Sequence, residues 1–229
     1  MGVTKQSFNY LMSLYNKIKF SSICELGDQQ FMSCPPFPEN SYTRDFYESN
    51  NINYICIDTN GRGKSLDIDL NGSFYLNKTF NIITNIGTLE HVENYYSGLK
   101  HMHEMCDIGG FMIHISPAIN HWPEHGFNYV LPEFFTKLAQ ECNYKLVDVR
   151  VEPTAIGGSD ADQTYAIMQK LLESKFPKIE ELYKFEGLKV ISWNDSQYNN
   201  LKNHIGKYIK VEKKYISVLV EENNDSNCA

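Results

Sequence analysis

Three short stretches of this chain run from apolar residues into an abrupt stop at groups able to hold a small ligand. SICELGDQQ, over 22–30, ends in Glu25, Gly27, Asp28 and Gln29, and NYICIDTNG closes on Asp58. FNIITNIGTLEHV, over 80–92, passes into Asn85, Ile86 and Gly87. Gly27 lets backbone approach a ligand with no side chain between them. Asp58 offers a carboxylate that accepts two hydrogen bonds from a diol such as that of a ribose. Asp67 and Asp69, in the acid-rich DIDL, are placed to accept from an adenine amino group, with Asn85, Ile86 and Gly87 as the opposite wall. Three such ends converge on one ligand only along the carboxyl edge of a parallel sheet.

A second constellation could move protons. His114, Ser116 and Pro117 are followed by HWPEHGFNY, which carries His121 and His125, and His91 lies just past the fourth strand. An imidazole with an unperturbed pKa near ~6.5 is suited to take a hydroxyl proton near neutrality, and Glu90 or Glu124 is placed to orient it. The bland readings are that His91 packs at a helix start and that His114 is an interior strand histidine. His101 and His103 read as surface residues. No metal is expected. His121 and His125 have a spacing that suits metal ligation on a helix, but Pro123 opposes a helix there and no acidic third ligand is evident.

The elements that must position these groups alternate. Phe8, Leu11, Met12, Tyr15 and Ile18 recur at helical spacing, so a helix is expected over 4–19. Strands are expected over 23–26, 52–57, 65–70, 80–86, 110–116 and 144–151, with a last one over 215–220. Helices are expected over 41–49, 94–105 and 131–142, and 165–172 has a helical pattern. The segment 152–214 then reads as an insertion before the last strand, forming part of an acceptor pocket, and 221–229 as a flexible tail. The alternation predicts one α/β domain with a mostly parallel, seven-stranded, Rossmann-like sheet and helices on both faces.

At 229 residues the chain is long enough for one good-sized domain. Its 42% hydrophobic and 21% charged content is that of a globular protein, and a net charge of −7 without a dense basic stripe disfavours nucleic acid as partner. Six scattered cysteines form neither a zinc pattern nor a disulfide framework, and Cys24 and Cys56 sit within apolar runs as small core residues. No run approaches the length of a membrane span and the first residues lack a signal-peptide core, so a cytoplasmic location without membrane contact is expected. The fingerprint G-x-G-x-x-G and the P-loop are both absent, which weighs against nicotinamide dinucleotides and phosphate-rich cofactors.

Four pieces in order give the chain a family resemblance. CELG, CID, DIDL and NIGTLEHV resemble the glycine motif, ribose acid, adenine side and fourth strand of the S-adenosylmethionine-dependent methyltransferases with a seven-stranded Rossmann-like sheet. The subgroup it looks most like carries Leu-Glu-His-Val after the fourth strand, and the H-x-x-x-H-G-F run is similar to methyltransferases of bacterial glycan clusters. The resemblance covers 23–151 and, at the last strand, 215–220. It departs where the family shows further glycines, since Gln29 and Phe31 stand there. It implies S-adenosylmethionine as cofactor, held by Glu25, Gly27, Asp28, Gln29, Asp58, Asp67, Asp69, Asn85, Ile86 and Gly87. It further implies methyl transfer to a small polar acceptor, a sugar or glycan hydroxyl, with His121, His125 or His91 as base. A homodimer is left open. The alternatives are a methyltransferase-like binding or scaffold subunit and a nicotinamide-linked sugar enzyme.

Overall fold

The computed structural model describes residues 2–59, 65–118, 125–153 and 162–191. The first strand, β1 (Gly2–Val3), leads into α1 (Lys5–Ile18). Thr4 caps that helix by accepting the Ser7 N–H, and Lys19 ends it at φ 48°. Next come β2 (Ser22–Leu26), β3 (Gln30–Phe31), α2 (Thr43–Ser49), β4 (Asn53–Ile57) and β5 (Phe80–Ile86). A 3-10 turn, η1 (Leu89–His91), precedes α3 (Tyr95–Met105), whose cap Asn94 accepts the Ser97 N–H. The chain continues through β6 (Cys106–Pro117), β7 (Asn128–Val130), α4 (Pro132–Glu141), β8 (Tyr144–Pro153), β9 (Asp162–Lys170), α5 (Ile179–Leu182) and β10 (Leu188–Val190).

The main sheet has the order β4-β2-β5-β6-β9-β8. Its first four strands are parallel, β9 runs antiparallel to β6, and β8 runs antiparallel to β9. Because side chains alternate across a strand, each strand feeds two apolar layers. Cys24, Ile83, Met112 and Met168 pack with Leu99, Met102, Phe134, Phe135 and Leu138 of α3 and α4. Ile23, Ile82, Ile113 and Ile167 pack with Tyr10, Leu11, Leu14 and Tyr47 of α1 and α2. Helices therefore cover both faces, as expected.

Among the described residues the sheet has six strands and is mixed, since β9 alone runs against the other five, so it is not wholly parallel. Two expectations are corrected. The stretch 65–70 is no strand; it contributes an isolated bridge between Leu66 and Ile57. The helical pattern over 165–172 belongs to β9, a strand buried on both faces whose continuous apolar run, Tyr165–Ala166–Ile167–Met168, carries no alternation to betray it. Part of the segment read as an insertion thus enters the sheet. The expected last strand and tail, 215–220 and 221–229, lie outside the described residues. Among the described residues no helix is long and apolar enough to cross a membrane.

Candidate functional site

The order of the sheet reverses direction between β2 and β5, so the crevice beyond their carboxyl ends is where an open α/β fold takes its ligand. Gly27 turns the chain there at φ 85° and donates its N–H to the Ile57 carbonyl at 2.8 Å. The next N–H, of Asp28, donates to Asp58 Oδ2 at 2.7 Å. Asp58, at the end of β4, is thereby drawn toward the glycine turn. Gly87 makes the matching turn after β5, at φ 68°, and Ile86 is buried beneath it.

Gln29 spans the crevice floor. Its backbone carbonyl accepts the Thr43 N–H at 3.2 Å, which ties the loop to the start of α2. Its Nε2 donates to Ile86 O at 2.9 Å, with Leu26 O and Thr88 Oγ1 at 3.3 and 3.2 Å. Two of these neighbours are carbonyls that can only accept, so the amide orientation is settled. Gln29 Oε1 is left buried with no hydrogen-bond partner among the described residues.

The other expected ligand residues separate into two groups. Glu25 does not face the crevice. It is fully buried in the layer beneath α2, where Oε2 accepts from Thr43 Oγ1 at 2.6 Å and Tyr54 Oη at 3.0 Å, and Oε1 from Tyr47 Oη at 3.3 Å. Burial pushes its carboxyl up to about 7 against the pull of those three donors. Asn85 is also internal: its Oδ1 accepts the Thr88 and Leu89 N–H groups and so caps η1, while Nδ2 donates to Ser116 Oγ. Asp67 and Asp69 are exposed, and Asp69 Oδ1 is used locally by the Asn71 backbone and side-chain amides.

Past Gly87 the chain builds a cluster of proton-handling groups. The loop before β7 lies directly on η1: Phe127 N–H donates to the Glu90 carbonyl at 2.6 Å, and Asn128 Nδ2 donates to Val92 O at 2.7 Å. Gly126 makes this approach feasible, because a Cβ there would stand 2.6 Å from Glu90 O. Tyr129 Oη accepts the His125 N–H at 3.0 Å and pins the loop from the other side. His125 is thereby set over η1, its ring centroid 4.9 Å from that of His91 and its Nε2 3.9 Å from Glu90 Oε1. Glu90 is buried to 2% exposure, and burial pushes its carboxyl up to about 8. His121 and Glu124 lie outside the described residues.

Sequence reasoning singled out His91 and His125 as candidate bases and named Glu90 only as a group to orient an imidazole. It saw no acidic third ligand beside the histidines; Glu90 supplies that carboxylate, from an element 35 residues away. The signal was the glycine after His125, whose need becomes plain only against the Glu90 backbone. His114 is interior as expected, and burial holds it down near about 3. His101 and His103 are not on the surface. His101 Nε2 meets Gly72 O at 2.8 Å and His103 Nε2 meets Ser174 O at 3.0 Å, and burial lowers both imidazoles.

The fold and crevice define an open α/β protein of the doubly wound kind with an antiparallel edge hairpin. No protein-family model and no curated protein sequence matches the chain. Among solved structures it is similar to the N-methyltransferase NodS from Bradyrhizobium japonicum in complex with S-adenosyl-L-homocysteine. That likeness has 13% identity and a TM-score of 0.46, over 72% of this chain and 87% of that one. It is also similar to the 1,6-didemethyltoxoflavin-N1-methyltransferase of Burkholderia thailandensis, crystallised with 1,6-didemethyltoxoflavin and S-adenosylhomocysteine. There the identity is 10% and the TM-score 0.49, over 69% of this chain and 75% of that one. The functional reading is carried by the chain's own residues.

Proposed function

We propose that the chain is a methyltransferase that uses S-adenosylmethionine and methylates a small polar acceptor, a hydroxyl of a sugar or glycan precursor. The observation that carries this reading is Gln29. Its amide nitrogen is spent on the ends of β2 and β5, and its oxygen stands buried with no partner among the described residues, two positions after Gly27. A buried acceptor without a donor costs on the order of 1–3 kcal/mol, so a donor-bearing ligand is favoured there. An amino-acid ammonium would satisfy Gln29 Oε1, and a ribose diol would suit the Asp58 carboxylate. A compound joining both is an adenosyl amino acid, and these residues fit it.

When bound, S-adenosylmethionine supplies a methyl group on a sulfonium, reactive toward an in-line nucleophile. The chain's part is to align an acceptor and relieve it of its proton. His91, His125 and Glu90 form the group that does so, at the end of β5 next to the crevice, with His121 a further candidate base. Glu90 Oε1 stands 3.9 Å from His125 Nε2 and is placed to orient that imidazole. The segment 152–214 is proposed to contribute to the acceptor pocket.

Calorimetric titration with S-adenosylmethionine, S-adenosylhomocysteine and NAD tests the reading. Binding of both adenosyl compounds and not NAD is expected, with Asp58→Ala and Gln29→Ala each weakening it by about tenfold or more. Absence of adenosyl binding would overturn the reading, and binding of NAD alone would replace it with a nicotinamide enzyme. Release of S-adenosylhomocysteine over a panel of saccharide acceptors should disappear in His125→Ala while cofactor affinity persists.

A further inference from the structure

Glu90, His91 and His125 bring one donor atom each to within 4.8 Å of one another. The three come from two separate loops, and the contact between the loops is built in. Gly126 meets the Glu90 backbone where no larger residue fits, and Phe127 and Asn128 bond to the carbonyls of Glu90 and Val92. The Glu90 carboxylate is nearly sealed from solvent, and its Oε2 has no hydrogen-bond partner among the described residues. A buried carboxylate facing two imidazoles is an incomplete arrangement, and a cation would complete it.

We propose that Glu90, His91 and His125 bind one divalent cation of the zinc class. The donor set selects the class. Two imidazole nitrogens and one carboxylate suit zinc, cobalt, iron or manganese, whereas magnesium and calcium want oxygen ligands throughout. Among the described residues three protein donors meet there, a number that leaves room for a further ligand, as in catalytic rather than structural sites. Donors around a four-coordinate ion with bonds of about 2.0–2.1 Å stand roughly 3.3–3.5 Å apart, so the cluster must close by about an ångström. His125 Nε2 and Glu90 Oε1, at 3.9 Å, are already near that spacing.

The catalytic consequence rests on the methyl-transfer reading. A hydroxyl bound to the ion would lose its proton to solvent water more readily, so the two imidazoles would act by holding the metal rather than as free bases.

The whole protein, treated with EDTA and desalted, is titrated calorimetrically with zinc chloride at pH 7, and with cobalt(II) followed by visible absorption and imidazole proton resonances. One equivalent of zinc per chain is expected, with no competition from excess magnesium. Glu90→Gln and His125→Gln should each weaken zinc binding by about 100-fold with the far-ultraviolet dichroism unchanged. No zinc uptake, or uptake with unchanged affinity in both variants, overturns the site. If either variant fails to fold, the wild-type cobalt complex decides: without paramagnetically shifted imidazole protons the proposal falls. S-adenosylhomocysteine is titrated in parallel into metal-free protein. Adenosyl binding without zinc binding overturns the metal site alone, and zinc binding without adenosyl binding overturns the methyl-transfer reading alone.

Discussion

Glu25→Gln separates two roles that the sequence left merged. The carboxyl is fully buried and pushed from an ordinary 4.5 up to about 7, chiefly by burial, despite hydrogen bonds from Thr43, Tyr54 and Tyr47. With its folded pKa above the unfolded one, its contribution to stability is full below pH 4.5 and is lost as pH rises through about 7. Between pH 5 and 8 the loss integrates to between about 2 and 3 kcal/mol, at ~1.4 kcal/mol for each tenfold difference in proton affinity between the folded and unfolded chain. The wild-type profile alone would not reveal it. Glu90, pushed to about 8, acts in the same direction, while His114, held near about 3, destabilises the fold as pH falls below 6.5. The difference between wild type and Glu25→Gln isolates the one group. Urea unfolding at pH 5, 6, 7 and 8 should show wild-type stability minus variant stability falling by between about 2 and 3 kcal/mol, so that the variant is the more stable protein by pH 8 despite a constant offset of about 1 kcal/mol for re-pairing the amide. A difference that stays flat within about 0.5 kcal/mol, or grows with pH, would refute the burial argument. S-adenosylhomocysteine affinity should be the same in both proteins; a tenfold loss in the variant would return Glu25 to the ligand site.

Gly126→Ala should lift the His125 loop from η1, because the new methyl would stand 2.6 Å from Glu90 O. A loss of about 1–3 kcal/mol by urea unfolding is expected, together with lost zinc binding and retained adenosyl binding. Lys170→Met tests a buried cation at the far end of the sheet. Lys170 Nζ donates to the carbonyls of His103 and Cys106 at 3.1 and 3.2 Å and pairs with Glu173. Removing it should cost about 2–4 kcal/mol by the same measurement and leave ligand affinities unchanged.

The parallel half of the fold was legible because each strand stops at a residue that cannot continue it. Gly27, Asp58, Gly87 and Pro117 all mark real strand ends or the turns just after them. What the sequence hid was set by contacts across long separations. Glu25 reads as a ligand residue until Tyr47 and Tyr54 are seen to donate to it from α2 and β4. Asn85 reads as a wall of the crevice until Thr88 and Leu89 turn back onto it. The strand over 162–170 has no polar face, because both its neighbours and both its layers are apolar, and so it lacks the period that distinguishes a strand from a helix. Glu90 was considered only as an orienting group, since nothing local ties it to a histidine 35 positions on.

The position of β9 bears on how the chain reaches this structure. It lies between β6 and β8 in the sheet but follows both in sequence. A growing chain that has made β8 therefore has nowhere to dock it, and the edge of β6, from Phe111 to Pro117, stays open until residue 170 is available. An open apolar edge is a template for pairing with other chains. The β8–β9 hairpin must add as a unit, late, against a parallel sheet already formed, so the non-local step governs the rate. A chain ending before residue 162 is expected to form the ligand crevice and still aggregate through β6.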